Sequence, residues 1–316
     1  MELVEIRVRT KIPQAELEKK VGKIITEADY NVRLTGPTRV IGPSGQPLAV
    51  YLPGVLSGTW NEEHYPTLHT IKQLSDTRGN ASGSQYRMKN KQSHANQIAS
   101  SVIGHFDGSY STPRTPYCRT TAWTGQHTEQ FRSMYPLFEH IGGLMREYVP
   151  ERHAIQWARA QATDPAWRVP NTPFTTMTVN NTYPTGVHKD KGDLDTGFSC
   201  LAVWRRGQYS GGHLTLPEYR VSVDMQDGDL LLMDAHQWHG NTGLELHSED
   251  AERISLVLYY RTALLQCGTV EEEHANKVRF QQKTLKPPSE AEMDADAMAE
   301  TVTTAVAQHG RTTRWS

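Results

Sequence analysis

The sequence is poor in cysteine. Of its 316 residues, only Cys118, Cys200 and Cys267 carry a thiol, and they are far apart. An odd, widely spaced set predicts neither a disulfide framework nor a cysteine-rich zinc cluster. It favours a reducing compartment, so we expect a cytoplasmic location.

Long apolar runs and an excess of one charge are also missing. Lys and Arg total 33 against 35 Asp and Glu, a formal net charge of −2. This balance argues against the whole-chain basicity of many nucleic-acid-binding proteins, although it says nothing about local patches. No stretch reaches the roughly 18 consecutive apolar residues of a transmembrane helix, and the N-terminal segment MELVEIRVRTKIPQ lacks a signal-peptide core. We therefore expect no membrane association.

The first half of the chain mixes helical and strand patterns. Apolar spacing predicts helices over 13–29 and 129–149, and β-branched runs around a PSGQ turn predict strands at 38–42 and 47–52. From residue 173 the spacing of apolar residues changes to the period of two that is typical of strands, in short segments separated by Gly, Asp and Asn. The strand segments are PFTTMTVNNTY, FSCLAVW, GHLTLPEY, RVSVD, GDLLLMD and RISLVLYYR. Many short strands between turn signals predict a sandwich or barrel.

A histidine and an aspartate stand one residue apart at the end of a predicted strand, in TVNNTYPTGVHKDKGD (178–193). Alternate strand residues point the same way, so His188 and Asp190 can reach one ion. A mononuclear Fe(II) oxygenase uses two histidines and one carboxylate and keeps the other metal positions open. The third ligand should come from a strand that returns beside the first. The segment MDAHQWHGNTG offers His236 and His239, and spacing alone does not choose between them.

Arg253 and Ser255 share one face of the predicted strand RISLVLYYR. A guanidinium can bind a carboxylate through two hydrogen bonds, and a hydroxyl adds another. Each motif alone is weak, because His-x-Asp arises by chance and a strand arginine is often a solvated edge charge. Their order within one strand-rich block favours an iron site with a carboxylate co-substrate.

These segments resemble the 2-oxoglutarate/Fe(II) dioxygenases, and more narrowly the TET/JBP family, which oxidises 5-methylpyrimidines in DNA. The thymine hydroxylase domain of base-J-binding proteins and their phage-encoded relatives is especially similar. The likeness spans about residues 38–265. It rests on TPFTTMTVNNTYPTGVHKDKGD, GGHLTLPEYRVSVDMQDGDLLLMDAHQWHGNT and RISLVLYY, with SSVIGHFD and CRTTAW upstream.

The resemblance implies an α+β fold with a double-stranded β-helix (jelly-roll or cupin-like) core and flanking helices. We predict an N-terminal elaboration over 1–172, the catalytic core over 173–268, and C-terminal helices and a tail over 269–316, integrated as one domain.

The resemblance also implies a set of cofactors and ligands. Fe(II) would be bound by His188, Asp190 and a distal histidine, for which His239 is chosen because HGNT opens the next segment as in the family. Arg253 and Ser255 would hold 2-oxoglutarate, and O2 is the second co-substrate.

Three further side chains are candidates for contacts within the site. One of the adjacent Asn180 and Asn181 should face inward, and we assign Asn181 to the co-substrate and Asn180 to the substrate. Arg119 would contact 2-oxoglutarate or the base, with a structural salt bridge as the alternative.

The implied substrate is a base in DNA, which must be flipped out of a duplex or presented single-stranded. Phosphate contacts would then be needed near the pocket. The basic segment 76–97 is the candidate, and a solvated loop is the alternative. Its cations are Arg78, Arg87, Lys89 and Lys91.

Two other functions stay open. One is a 2-oxoglutarate-dependent hydroxylase of a protein side chain or small metabolite, since GGHLTLPEY and DGDLLLMD also resemble prolyl-hydroxylase-type enzymes. The other is a non-catalytic cupin-like binding barrel, against which the pair Arg253 and Ser255 argues. The sequence does not separate thymine from 5-methylcytosine.

Overall fold

The computed structural model describes residues 1–72, 99–108 and 115–285. The predicted basic segment and most of the predicted C-terminal region therefore lie outside the described residues. None of the helices within the described ranges is long and apolar enough to cross a bilayer.

Most of the described helices precede residue 173, and most of the described strands follow it. The strands are β1 (Val4–Arg7), β2 (Val32–Leu34), β3 (Thr38–Ile41), β4 (Pro47–Leu52), β5 (Ala99–Phe106), β6 (Arg119–Thr120), β7 (Thr176–Asn181), β8 (Ser199–Arg206), β9 (Tyr209–Gly211), β10 (Leu214–Leu216), β11 (Val221–Val223), β12 (Leu230–Met233), β13 (Gly240–Asn241), β14 (Leu244–Leu246) and β15 (Glu252–Tyr259). The α-helices are α1 (Gln14–Glu18), α2 (Thr59–Thr70), α3 (Ala122–Gln126), α4 (Thr128–Ser133), α5 (Tyr135–Tyr148), α6 (Pro150–Ala162) and α7 (Val270–Leu285).

Among the described residues, the strands form a large sheet, a smaller sheet and a two-stranded ribbon. The large sheet has nine strands in the order β1-β3-β4-β12-β8-β15-β7-β5-β6, and the smaller sheet has four, in the order β13-β10-β11-β2. The ribbon pairs β9 with β14. Most pairs are antiparallel, whereas β1 with β3 and β11 with β2 are parallel.

Apolar residues on the two faces of the large sheet form two cores. Leu230 and Leu232 of β12 belong to the core that includes the apolar faces of α4 and α5. Leu231 and Met233 belong to the core that includes the smaller sheet. This alternation is the period of two expected for a strand buried on both sides. The result is an α+β fold with a double-stranded β-helix, in which two sheets face each other and helices cover the outer face of the larger one.

The strands predicted at 38–42 and 47–52 are confirmed as β3 and β4, which join the large sheet. This sheet therefore takes strands from both sides of residue 173. The domain limits at 172 and 268 stay predictions.

The predicted helix over 13–29 is wrong beyond its first five or six residues. Helix α1 ends at Glu18, and Gly22 adopts a φ of 75°, which interrupts a right-handed helix. The chain then runs beside the β-core, where Val21 pairs with Val187 and Ile25 with Thr242.

The helix predicted over 129–149 is instead two helices, α4 and α5, that meet at Met134. Proline in the first turn of α5 explains the break, because Pro136 has no N–H to continue the hydrogen bonds of the preceding helix.

The cysteine spacing predicted no disulfide framework, yet one disulfide is present. Cys118 and Cys267 are bonded across a sequence separation of 149 residues, while Cys200 is buried and free. The bond joins the segment before β6 to the segment after β15. Such a pairing depends on the fold, so the spacing of the cysteines could not reveal it.

Candidate iron and co-substrate site

The segments that carry the two predicted histidine ligands are hydrogen-bonded to each other. The His188 N–H donates to the His239 carbonyl at 2.8 Å, and the His239 N–H donates to the His188 carbonyl at 3.0 Å. The Asp190 N–H donates to the Ala235 carbonyl at 3.0 Å. These bonds fix the register, so that the ligand atoms of His188, Asp190 and His239 lie within 4.8 Å of one another.

Hydrogen bonds select the tautomer of both imidazoles. Nδ1 of His188 lies 2.8 Å from the Gly186 carbonyl, and Nδ1 of His239 lies 2.9 Å from the Gln237 carbonyl. A carbonyl only accepts, so each Nδ1 carries a proton, and in the neutral form of each ring Nε2 offers the lone pair. The two Nε2 atoms face Asp190, at 3.3 Å from Oδ1 for His188 and 4.0 Å from Oδ2 for His239.

The donor set fits an Fe(II) ion. Burial, together with the neighbouring His188, lowers the pKa of His239 to about 4, which keeps this imidazole neutral and able to bind a metal. Two neutral imidazoles and one carboxylate are the ligands of mononuclear Fe(II) oxygenases. His236 is turned elsewhere, with Nδ1 3.3 Å from Asp234 and Nε2 3.4 Å from Asp195. The structure thus brings His239, and not His236, to the other two residues.

Arg253 and Ser255 line the same cavity as the triad, which has a volume of about 420 Å³. Arg253 is 4% exposed, and within the described residues its Nη2 has no hydrogen-bond partner. Burial lowers the pKa of this guanidinium. A buried cation without a paired carboxylate is costly. The orphaned nitrogen therefore indicates an anionic ligand in the cavity, as a carboxylate co-substrate would be.

The two adjacent asparagines point in opposite directions from β7. Asn180 lines the cavity, in the same row as Ser255 of β15. Asn181 is fully buried outside the cavity lining, and its Nδ2 donates to Glu252 at 2.7 Å. The assignment of Asn181 to the co-substrate is therefore corrected, because alternation along the strand places Asn180 in the cavity instead.

Arg119 does not line the cavity. Its Nη1 donates to the Asp107 carbonyl at 3.2 Å, and its guanidinium lies 5.3 Å from the centre of the Phe106 ring. Phe106 itself lines the cavity. Arg119 thus contacts the cavity wall from behind, and a direct contact with 2-oxoglutarate is not what the structure shows.

Sequence reasoning missed Arg261, a second arginine of the cavity lining. Its guanidinium lies 4.1 Å from the centre of the Phe106 ring and is hydrogen-bonded through Nε to Asp107. The signal that could have found it is the alternation that starts at Arg253. The residues of this register that line the cavity are Arg253, Ser255, Val257, Tyr259 and Arg261.

The four predicted DNA contacts are not tested by the structure. They lie outside the described residues, and their role stays a prediction. They are Arg78, Arg87, Lys89 and Lys91.

A double-stranded β-helix whose cavity holds a His-x-Asp…His triad and a buried arginine defines a class, the 2-oxoglutarate/Fe(II) oxygenases. Residues 101–262 match the Tet_JBP family, described as the oxygenase domain of the 2OGFeDO superfamily. The chain belongs to this family. The superfamily uses Fe(II), 2-oxoglutarate and O2, which confirms the predicted cofactors.

Curated relatives extend this finding. The chain is 39% identical over 175 residues to thymine dioxygenase JBP1 of Trypanosoma brucei brucei, covering 55% of this chain and 20% of that protein. It is 36% identical over 168 residues to thymine dioxygenase JBP1 of Leishmania braziliensis, covering 52% of this chain and 20% of that protein. The match thus spans about a fifth of the length of these relatives.

A solved structure has the same fold. NgTET1 in complex with 5mC DNA superposes with a TM-score of 0.56 at 17% identity, covering 86% of this chain and 100% of that chain. This likeness confirms the predicted double-stranded β-helix.

Proposed function

We propose that this chain is an Fe(II)- and 2-oxoglutarate-dependent dioxygenase that hydroxylates the methyl group of a 5-methylpyrimidine in DNA. One observation carries the proposal. The triad of His188, Asp190 and His239 shares a cavity with Arg253, whose buried Nη2 has no partner in the described part of the chain. A metal site beside an anion site is what the chemistry of this family requires.

The residues of the cavity would have two separate roles, metal binding and co-substrate binding. His188, Asp190 and His239 would hold Fe(II) through two Nε2 atoms and a carboxylate, while Arg253 and Ser255 would hold the far carboxylate of 2-oxoglutarate. Fe(II), 2-oxoglutarate and O2 together supply an oxidation in which 2-oxoglutarate becomes succinate and CO2 and one oxygen atom enters a C–H bond. The cavity volume of about 420 Å³ falls in the roughly 300–1,000 Å³ range of small-molecule sites, which suits a small reacting group such as one flipped base.

Thymine is the 5-methylpyrimidine that we favour. The curated relatives that match just over half of this chain carry the name thymine dioxygenase.

The strand end that carries Asp190 also offers cations for the DNA backbone. Lys189 and Lys191 flank Asp190 and line the cavity, and Nζ of Lys189 lies 5.0 Å from the centre of the Trp238 ring. Phosphates beside a flipped base would meet these two cations. They add to the basic segment 76–97 predicted from the sequence.

Nucleoside mass spectrometry tests the proposal. DNA containing thymine but no 5-methylcytosine, and DNA fully methylated at cytosine, are each incubated with protein, Fe(II), 2-oxoglutarate and ascorbate. We expect thymidine to gain one oxygen atom and succinate to form in step, and neither to occur with Asp190→Ala. Succinate without a modified nucleoside would favour the side-chain or metabolite hydroxylase. No succinate at all would favour the non-catalytic barrel.

A further inference from the structure

Three buried polar side chains form a row across three neighbouring strands of the large sheet. Ser100 of β5 pairs with Asn180 of β7, and Asn180 pairs with Ser255 of β15. They are at most 5% exposed. The row ends beside Arg253, which lies two residues before Ser255 and therefore on the same face of β15. Two members of the row, Asn180 and Ser255, line the cavity.

The hydrogen bonds of this row have a direction. Ser100 Oγ lies 2.6 Å from Asn180 Oδ1, to which it donates, and Asn180 Nδ2 donates to Ser255 Oγ at 3.4 Å. An amide oxygen only accepts and an amide nitrogen only donates. Because Ser255 Oγ accepts from the amide, its own proton remains to be donated elsewhere. Among the described residues this hydroxyl has no other hydrogen-bond partner, whereas a carboxylate held by Arg253 would accept its proton.

We propose that Asn180, held by Ser100, is a positioning residue that directs the Ser255 hydroxyl proton toward the far carboxylate of 2-oxoglutarate. This rests on the proposed function, since it requires that carboxylate to lie at Arg253. It assigns Asn180 to the co-substrate and not to the base. The opposite amide orientation would take the Ser255 proton for itself and leave the carboxylate one donor fewer.

Asn180→Asp is the decisive variant because it keeps the shape and replaces the amide donor with a negatively charged acceptor. Its carboxylate would accept the Ser255 proton and repel 2-oxoglutarate. Binding is measured by calorimetry on anaerobic, Fe(II)-loaded protein, so that no turnover is needed. We expect affinity for 2-oxoglutarate to fall about 10- to 100-fold, from the loss of a hydrogen bond to a charged group. Ser100→Ala, which removes the hydrogen bond to the amide oxygen, should cost about 2- to 5-fold.

The specific readout is 2-oxobutanoate, which keeps the keto acid and lacks the far carboxylate. Its affinity should be the same in the parent and in Asn180→Asp. A structural disturbance of the iron site would weaken both ligands equally, and that result would overturn the proposal. So would an unchanged affinity for 2-oxoglutarate.

Asn181→Asp is the matched control, since the same chemical change one residue along the strand faces Glu252. It should lower stability and leave 2-oxoglutarate affinity within about twofold. Should Asn180→Asp fail to fold, Ser100→Ala decides, because it must still weaken 2-oxoglutarate without affecting 2-oxobutanoate. A failure of the proposed function gives a different result, because the parent protein itself would then bind no 2-oxoglutarate. If the parent binds it and the variants bind it equally well, only the role of Asn180 is refuted.

Discussion

Buried charged residues lie on both faces of the sheet formed by β15 and β7, but they differ in whether their polar atoms have hydrogen-bond partners. On the cavity face, Arg253 is buried with an orphaned Nη2 in the described structure. On the opposite face, the adjacent Glu252 is 2% exposed and its carboxylate is fully used. It accepts hydrogen bonds from Tyr65, His69 and Asn181, each at 2.7 Å, and lies 3.5 Å from Nζ of Lys72.

This difference distinguishes buried polar residues that stabilise the fold from buried polar residues that bind a ligand. A buried polar group that has all its partners holds the fold together, as Glu252 does between α2 and the large sheet. A buried charged group without a partner is unfavourable in the free protein, so one that lines a cavity, as Arg253 does, indicates a ligand. Burial and charge alone would have ranked Glu252 and Arg253 together, whereas their hydrogen-bond partners tell them apart.

The largest effect on turnover is expected for the three residues that would bind the metal. His188→Ala, Asp190→Ala and His239→Ala should each reduce turnover on the order of 10³-fold or more, because a three-ligand site loses iron with any one of them. Stability should change by only about 1 kcal/mol, since the apolar cores do not depend on these side chains. Fe(II) binding and urea unfolding check the two statements. Near-parental turnover in an iron-replete variant would contradict the ligand assignment.

Arg253→Ala should act on the co-substrate. A buried charge-assisted contact is worth about 2–5 kcal/mol, so affinity for 2-oxoglutarate should fall roughly 30- to 5,000-fold. Arg253→Lys should restore little of it, because a point charge does not replace a planar fork. In the absence of ligand, Arg253→Ala should not destabilise the fold, since it removes an unpaired buried charge. Calorimetry and unfolding measure both, and a large loss of stability would mean that Arg253 has a structural partner.

Glu252→Gln should show the reverse behaviour. Loss of one member of a buried charged cluster costs about 3–5 kcal/mol of stability, while 2-oxoglutarate affinity should stay within about twofold. Burial alone would raise the pKa of Glu252, but the bonds from Tyr65, His69 and Asn181 outweigh it and hold the pKa below its ordinary value of 4.5.

A depressed folded-state pKa sets the pH dependence of this variant. The stability that Glu252 contributes is complete above the ordinary pKa and is lost as pH falls through the folded value. The difference between parent and variant should therefore be full at pH 7 and shrink below about pH 4.5. Urea unfolding across this range, with Glu63→Gln on the exposed face of α2 as control, tests it. A difference that persists unchanged at low pH would show that shape, and not charge, is responsible.

The sequence predicted the parts of the site that local patterns encode. Period-two runs identified the core strands, and the spacing of His188 and Asp190 identified two members of the triad. The choice between Asn180 and Asn181 failed because β7 is buried on both faces. No hydrophobic alternation then marks the inner face. Alternation from Arg253 reaches Arg261, but its contacts with Phe106, at the end of β5, and with Asp107, which follows, come from a distant part of the chain, so only the fold reveals them.

The smallest effect is expected at His236, which repeats the contrast within the segment MDAHQWHG. Nε2 of His239 faces Asp190 beside His188, whereas Nδ1 of His236 is bonded to Asp234, and this bond raises the pKa of His236 against its burial. Asp193 and Asp195 also face it and act in the same direction. A raised folded-state pKa contributes stability that is complete below the ordinary value of 6.5 and is lost as pH rises through the folded value. His236→Ala should therefore cost less than about 1 kcal/mol at pH 5.5 and nothing at pH 8.5, with turnover within about twofold. If His236→Ala loses iron while His239→Ala keeps it, the distal ligand has been assigned to the wrong histidine, and the grouping of His239 with His188 and Asp190 is not the metal site.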